Sequence, residues 1–261
     1  MVMVCCSSVN GRWVSAESGS SFPVLDPLTG SEVGQVPDMT DQDCQLAISA
    51  ASQAFSSWQH TTAKERSGLL RSWYNLCVSH SEDLARLLTA EQGKPLAEAR
   101  GEIVYGNSFL EWFSEEARRI QGEVAASPVS SKEMLFIRQP IGVAAMITPW
   151  NFPNAMITRK VGAALAAGCS CVVKPAEDTP LSALALAELA DQAGIPPGVI
   201  NVVTSSRANT SQLGKLLCES PQVAGLSFTG STQVSPGCND TPSQRSGPRS
   251  CYASTDGGFH I

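Results

Sequence analysis

Three short segments place polar side chains where the chain leaves an apolar run. The first is Thr148-Pro149-Trp150-Asn151-Phe152-Pro153. Its two prolines fix a tight exit and hold the Asn151 amide at the mouth of that exit. An amide N–H held there suits a developing oxyanion, though the same residue can instead satisfy the backbone groups of a turn. The second is Lys174-Pro175-Ala176-Glu177, a cation and a carboxylate three residues apart. That pair suits the two hydroxyls of a ribose. A carboxylate at a ribose marks a dinucleotide site favouring NAD over NADP, because it repels a 2′-phosphate. A solvated ion pair at a helix start is the plainer alternative. The third is Phe228-Thr229-Gly230-Ser231-Thr232. Gly then Ser at an expected helix N-terminus lets backbone N–H groups approach a pyrophosphate. No G-x-G-x-x-G occurs in the chain, so a dinucleotide site of the ordinary Rossmann type is excluded. Arg159 is either an anchor for a substrate carboxylate or a plain surface arginine. Cys169 and Cys171 alternate along an apolar run and suit packing better than chemistry.

The elements that must position these residues follow from periodicity and punctuation. Over residues 134–232 apolar runs alternate with helical patterns. Strands are expected over Gly142–Thr148, Cys169–Lys174, Val199–Thr204 and Val223–Thr229. Helices are expected over Asn154–Ala167, from Pro180 to a stop at Gly194, and over Ser211–Cys218. Strand, helix, strand at this spacing implies a parallel sheet with helices on both faces, and ligands then sit at the carboxyl ends of the strands. Residues 41–122 read as a helical layer. Thr40 caps a helix with Ala47, Ile48, Ala51, Phe55 and Trp58 on one face. A second helix starts near Ala63, a third at Ser81 with a stop at Gly93, and a fourth runs from Leu96 to about Ile120. Residues 11–40 read as short extended pieces broken by Pro and Gly. Residues 1–10 and 233–261 are expected to lack fixed structure, the latter being rich in Ser, Pro and Gly.

The whole chain has 261 residues, 43% hydrophobic and 16% charged, with a net charge of −6. The acidic balance argues against general binding to nucleic acid or an anionic membrane. No apolar run is long enough to span a bilayer. Nine cysteines without a C-x-x-C pair and three scattered histidines argue against a disulfide scaffold and a metal site.

In order and spacing, the three segments resemble the aldehyde dehydrogenase superfamily, together with Glu91-Gln92-Gly93-Lys94-Pro95 and Lys64-Glu65-Arg66. Phe109–Arg119 and Ala155–Gly168 resemble the branch that acts on succinate semialdehyde. The likeness covers about residues 11–232 and implies a partial NAD-binding domain there. It implies that Asn151 is the side-chain half of an oxyanion hole. It places Lys174, Pro175, Ala176 and Glu177 at the adenosine ribose of NAD, with Gly230, Ser231 and Thr232 at the pyrophosphate. It places Arg159 beside the cofactor and at the far carboxylate of the substrate. It also implies an NAD-dependent oxidation of succinate semialdehyde in 4-aminobutyrate breakdown, homo-oligomers and the mitochondrial matrix. Residues 1–10 carry no arginine-rich targeting pattern, which leaves the cytoplasm as the alternative.

The family pattern continues with a Glu-Leu-Gly-Gly segment that carries the general base, and then with the nucleophilic cysteine. Neither segment is found after Thr232, and Cys238 and Cys251 match no family context. The expectation is therefore a chain without activity of its own, either an incomplete enzyme or a non-catalytic cofactor-domain fragment.

Overall fold

The computed structural model describes residues 6–230 and 250–255. Four strands of the anticipated α/β region form: β7 (Val143–Ile147), β8 (Ser170–Lys174), β9 (Ile200–Val202) and β10 (Val223–Gly230). A fifth, β11 (Ser250–Thr255), lies parallel to β10. The order is β11-β10-β7-β8-β9, and every pairing is parallel. β7, the first strand of this sheet in sequence, is central; two successors run to one side and two to the other. This is doubly wound topology, with its switch between β7 and β10.

The sheet divides the core by period 2. Val143, Ala145, Ile147, Val172, Leu226 and Phe228 pack under α1 (Asp41–Trp58) and α7 (Arg207–Glu219). Met146, Cys171, Val173 and Val202 face the other way, toward α5 (Ala155–Ala166) and α6 (Pro180–Gln192). Behind these last two lies the expected helical layer: α2 (Ala63–Ser79), α3 (Ser81–Gln92) and α4 (Leu96–Glu116). Trp73 is buried there and its indole N–H donates to the Leu186 carbonyl at 3.1 Å, tying α2 to α6. Burying a large apolar side chain of this kind contributes about 1.5–3 kcal/mol.

The helix stops behave as expected, with Gly93, Gly168 and Gly194 all at positive φ. Three boundaries shift, and one of them is the start of α7, which begins at Arg207 rather than Ser211. Ser81 is the first residue of α3 rather than its cap, and α4 gives way at Ala117–Arg119 to a single 3-10 turn.

Two expectations need correction. Residues 1–10 are not all without structure: β1 (Ser7–Val9) pairs antiparallel with β2 (Arg12–Val14). The cause is Asn10-Gly11, both at positive φ, the two-residue turn whose twist suits a hairpin. The 233–261 segment contains β11, because β10 offers an unpaired edge that a parallel strand can complete; the rest of that segment lies outside the described residues. Two further hairpins were not anticipated as such: β3 (Ser21–Leu25) with β4 (Glu32–Pro37), and β5 (Glu123–Ala125) with β6 (Met134–Phe136).

Candidate functional site

The register of the sheet brings the three segments to one edge. Ile147 is paired with Lys174 on one side and with Phe228 on the other. The Thr148–Pro153 loop, the Lys174–Glu177 loop and Gly230 therefore leave the sheet side by side, at its carboxyl end. Ser231 and Thr232 lie outside the described residues.

Lys174 is the last residue of β8 and is only 2% exposed. Its ammonium carries three donors, yet among the described residues its one hydrogen bond is to the Pro175 carbonyl at 3.1 Å. Burial pulls its pKa down to about 8, and the charge of Glu177 works against that fall. A buried ammonium with donors to spare is costly unless acceptors arrive from elsewhere. Glu177, half-buried, makes no hydrogen bond or ion pair within the described residues and opens onto a cleft of about 450 Å³, bordered by Leu25, Glu91, Trp150 and Thr179. Spare donors beside a spare acceptor match a vicinal diol, whose hydroxyls both give and take hydrogen bonds. Pro175 and Ala176 are buried in the turn between them.

The Asn151 loop is held from behind by a buried pair that sequence reasoning missed. Lys94, just past α3, and Glu102, on α4, form an ion pair with side-chain exposures of 11% and 1%. Lys94 also donates to the Asn151 carbonyl at 2.9 Å and lies 4.4 Å above the Phe152 ring. The other oxygen of Glu102 accepts the backbone N–H groups of Asn154 and Ala155, at 2.9 and 3.3 Å. These are first-turn donors of α5 that have no partner within the helix. Close approach of α4 requires Gly106, since a Cβ there would stand 2.1 Å from Asn154 Oδ1. The Asn151 side-chain oxygen is buried without a hydrogen bond.

Arg159, one turn into α5, is not a plain surface residue. It donates to the Tyr105 hydroxyl at 2.8 Å and lies 4.8 Å from the Phe109 ring centroid. Its Nε is buried and without a partner. The next residue, Lys160, is also largely buried and donates to Ser227 at 2.7 Å; burial and then the charge of Arg159 push its pKa down to about 8.

Among the described side chains, no cysteine offers a nucleophile at this edge. Of the cysteines with described side chains, Cys44, Cys77, Cys169, Cys171 and Cys218 are buried and Cys6 is half-buried. Burial pushes the thiols of Cys44 and Cys77 up to about 12, and Cys171 well above its ordinary value. Thiols raised in this way are inert. Cys169 and Cys171 pack, as expected.

Comparison with known proteins shows the family. Residues 13–246 match the aldehyde dehydrogenase family model. The human mitochondrial succinate-semialdehyde dehydrogenase is 59% identical over 226 residues, covering 87% of this chain and 42% of that protein. The GabD succinate-semialdehyde dehydrogenase [NADP(+)] of Escherichia coli is 54% identical, covering 87% of this chain and 46% of that one. The crystal structure of an aldehyde dehydrogenase from Brucella melitensis superposes with a TM-score of 0.90 at 45% identity, over 97% of this chain and 51% of that one. The chain thus spans about half the length of the relatives it matches. From the match over most of its length, and from the fold that carries it, the chain belongs to the aldehyde dehydrogenase family.

Proposed function

We propose that this chain is the cofactor-binding half of an NAD-dependent succinate-semialdehyde dehydrogenase, acting in 4-aminobutyrate breakdown in the mitochondrial matrix. Residues 11–232 form its partial cofactor domain, and the family's homo-oligomeric assembly is proposed with it. The observation that carries the reading is Lys174: a fully buried ammonium with spare donors, at a strand's carboxyl end, beside the unpaired Glu177. Lys174 and Glu177 hold the adenosine ribose, and Pro175 and Ala176 set their spacing. Gly230, Ser231 and Thr232 face the pyrophosphate. The negative charge of Glu177 disfavours a 2′-phosphate, which selects NAD over NADP.

NAD held there would supply the acceptor for the hydride that leaves the aldehyde carbon. The chain's own residues orient the substrate. The Asn151 amide donates to the oxygen that gains charge when a thiolate adds to the aldehyde carbon. Arg159, which also lies beside the cofactor in this reading, pairs with the far carboxylate. Neither the thiolate nor the base that activates water comes from a described residue, so catalysis needs groups beyond them. A second reading, a non-catalytic cofactor-domain fragment, draws on the same burial of the cysteines.

Calorimetric titration of the 261-residue chain with NAD tests the proposal. Lys174→Ala should weaken binding by about 1–3 kcal/mol, the value of a hydrogen bond from a charged group. Glu177→Gln should narrow the preference for NAD over NADP. Unchanged binding in Lys174→Ala would remove the ribose assignment.

A further inference from the structure

We infer that the Tyr105 hydroxyl is a second donor, beside the Arg159 guanidinium, to the anionic far end of the substrate. The inference rests on the proposed role of Arg159 and extends it to a residue on another helix. Arg159 has the makings of a receptor built before its ligand arrives. The chain carries six more acidic than basic side chains, yet Arg159 forms no ion pair with any described carboxylate. Its guanidinium instead stands over a pair of rings, 4.8 Å from the Phe109 centroid and 5.6 Å from that of Tyr105. The rings meet each other edge to face at 4.8 Å, so each braces the other. A guanidinium held over aromatic faces gives up little rotamer freedom when it takes an anion.

The donor count points at Tyr105. Its oxygen accepts from Arg159 Nη2, which leaves its own O–H without an acceptor among the described residues. Arg159 Nε is likewise buried and unpartnered. Lys160 adds positive charge next door. One phenolic O–H and one guanidinium N–H, fixed together and each lacking an acceptor, suit the two oxygens of a carboxylate. Tyr105 and Phe109 stand four residues apart on α4 and so share one face of it. Their role is to aim the guanidinium, and Tyr105 adds direct contact.

The test uses the full 261-residue chain with labelled arginine, and sodium succinate as probe. Succinate should shift the Arg159 Nε–H resonance in a saturable way, and its methylene protons should show intermolecular contacts to the Tyr105 ring. Tyr105→Phe keeps the stacked ring and removes only the O–H, and should raise the apparent Kd about tenfold or more. Arg159→Gln should abolish the effect. Wild-type affinity in Tyr105→Phe overturns the inference, and so does the absence of ring contacts in the unmodified chain, a readout that needs no variant to fold. If succinate leaves Arg159 undisturbed in the unmodified chain, the anion assignment falls with it. NAD titration of the same sample then reports separately on the cofactor reading.

Discussion

Replacing Glu102 by Gln should destabilise the chain far more than any exposed ion-pair change. The carboxylate is enclosed by Lys94 and by the start of α5, with 1% of its side chain exposed. It accepts from the Lys94 ammonium and from the N–H groups of Asn154 and Ala155. Glutamine keeps the shape and one acceptor for the backbone, but points an N–H₂ at the ammonium or loses the cap. Breaking a buried pair by removing one partner costs about 3–5 kcal/mol. The low end applies here, because Lys94 retains 11% exposure and still has the Asn151 carbonyl at 2.9 Å. A loss of about 3 kcal/mol lowers the Tm of a chain this size by roughly 6–12 °C. Glu111→Gln, which breaks a half-exposed bridge to Arg71, is the control and should cost under about 1 kcal/mol. The assay is thermal and urea unfolding, with amide exchange at Asn154 and Ala155 as the local readout. Adding Lys94→Met to Glu102→Gln should restore part of the loss, since no unpaired ammonium then remains. A Glu102→Gln variant melting within about 2 °C of wild type, with those two amides equally protected, would refute the clamp.

Further expectations follow from the buried charges and from the cysteines. Burial is the largest influence on Glu91, raising its pKa to about 7 against the two N–H bonds it accepts from Leu181 and Ser182. The folded state therefore binds more protons than the unfolded one between about pH 4.5 and 7, and stability should fall as pH rises through that window. Glu91→Gln should flatten the fall, and an identical slope in urea midpoints against pH would count against it. In its proposed role Lys174 donates to a ligand as the ammonium, and burial lowers its pKa to about 8. NAD affinity should accordingly decline from pH 7 to pH 9, and a flat profile in calorimetry would argue that Lys174 does not touch the ligand. Purified 261-residue chain should form NADH from succinate semialdehyde only at background. Turnover that vanishes in Cys238→Ala or Cys251→Ala would show that a tail cysteine substitutes for the nucleophile.

Most of the sheet was legible because β7 to β10 are apolar runs and two of the helices between them, α5 and α6, end at the positive-φ glycines Gly168 and Gly194, whereas α7 ends at Ser220. The shared edge was legible for the same reason, since Asn151, Lys174 and Gly230 each follow a run. What did not show was anything built across elements. Lys94 and Glu102 sit on a loop and a helix, eight residues apart, and a buried ion pair leaves no periodic trace. Tyr105 is 46% exposed and in sequence looks like any half-buried aromatic. The β5–β6 hairpin carries almost no alternation, because nearly all of its side chains face solvent. The Asn10-Gly11 turn did carry a signal, in a dipeptide that favours hairpins.

One helix pairing sets both ends of the proposed substrate site. Glu102, Tyr105, Gly106 and Phe109 recur on α4 at intervals of three and four, which places them on one face. That face meets α5 at its first turn through Glu102 and Gly106, and one turn later through Tyr105 and Phe109 around Arg159. The first contact holds the loop bearing the proposed oxyanion donor, and the second holds the proposed receptor for the anion. A rigid helix fixes the distance between them, so on this proposal the length of substrate accepted is a property of the α4–α5 packing rather than of either site alone. Changes at Gly106 should then disturb both ends together, whereas Tyr105→Phe should touch only the anionic end.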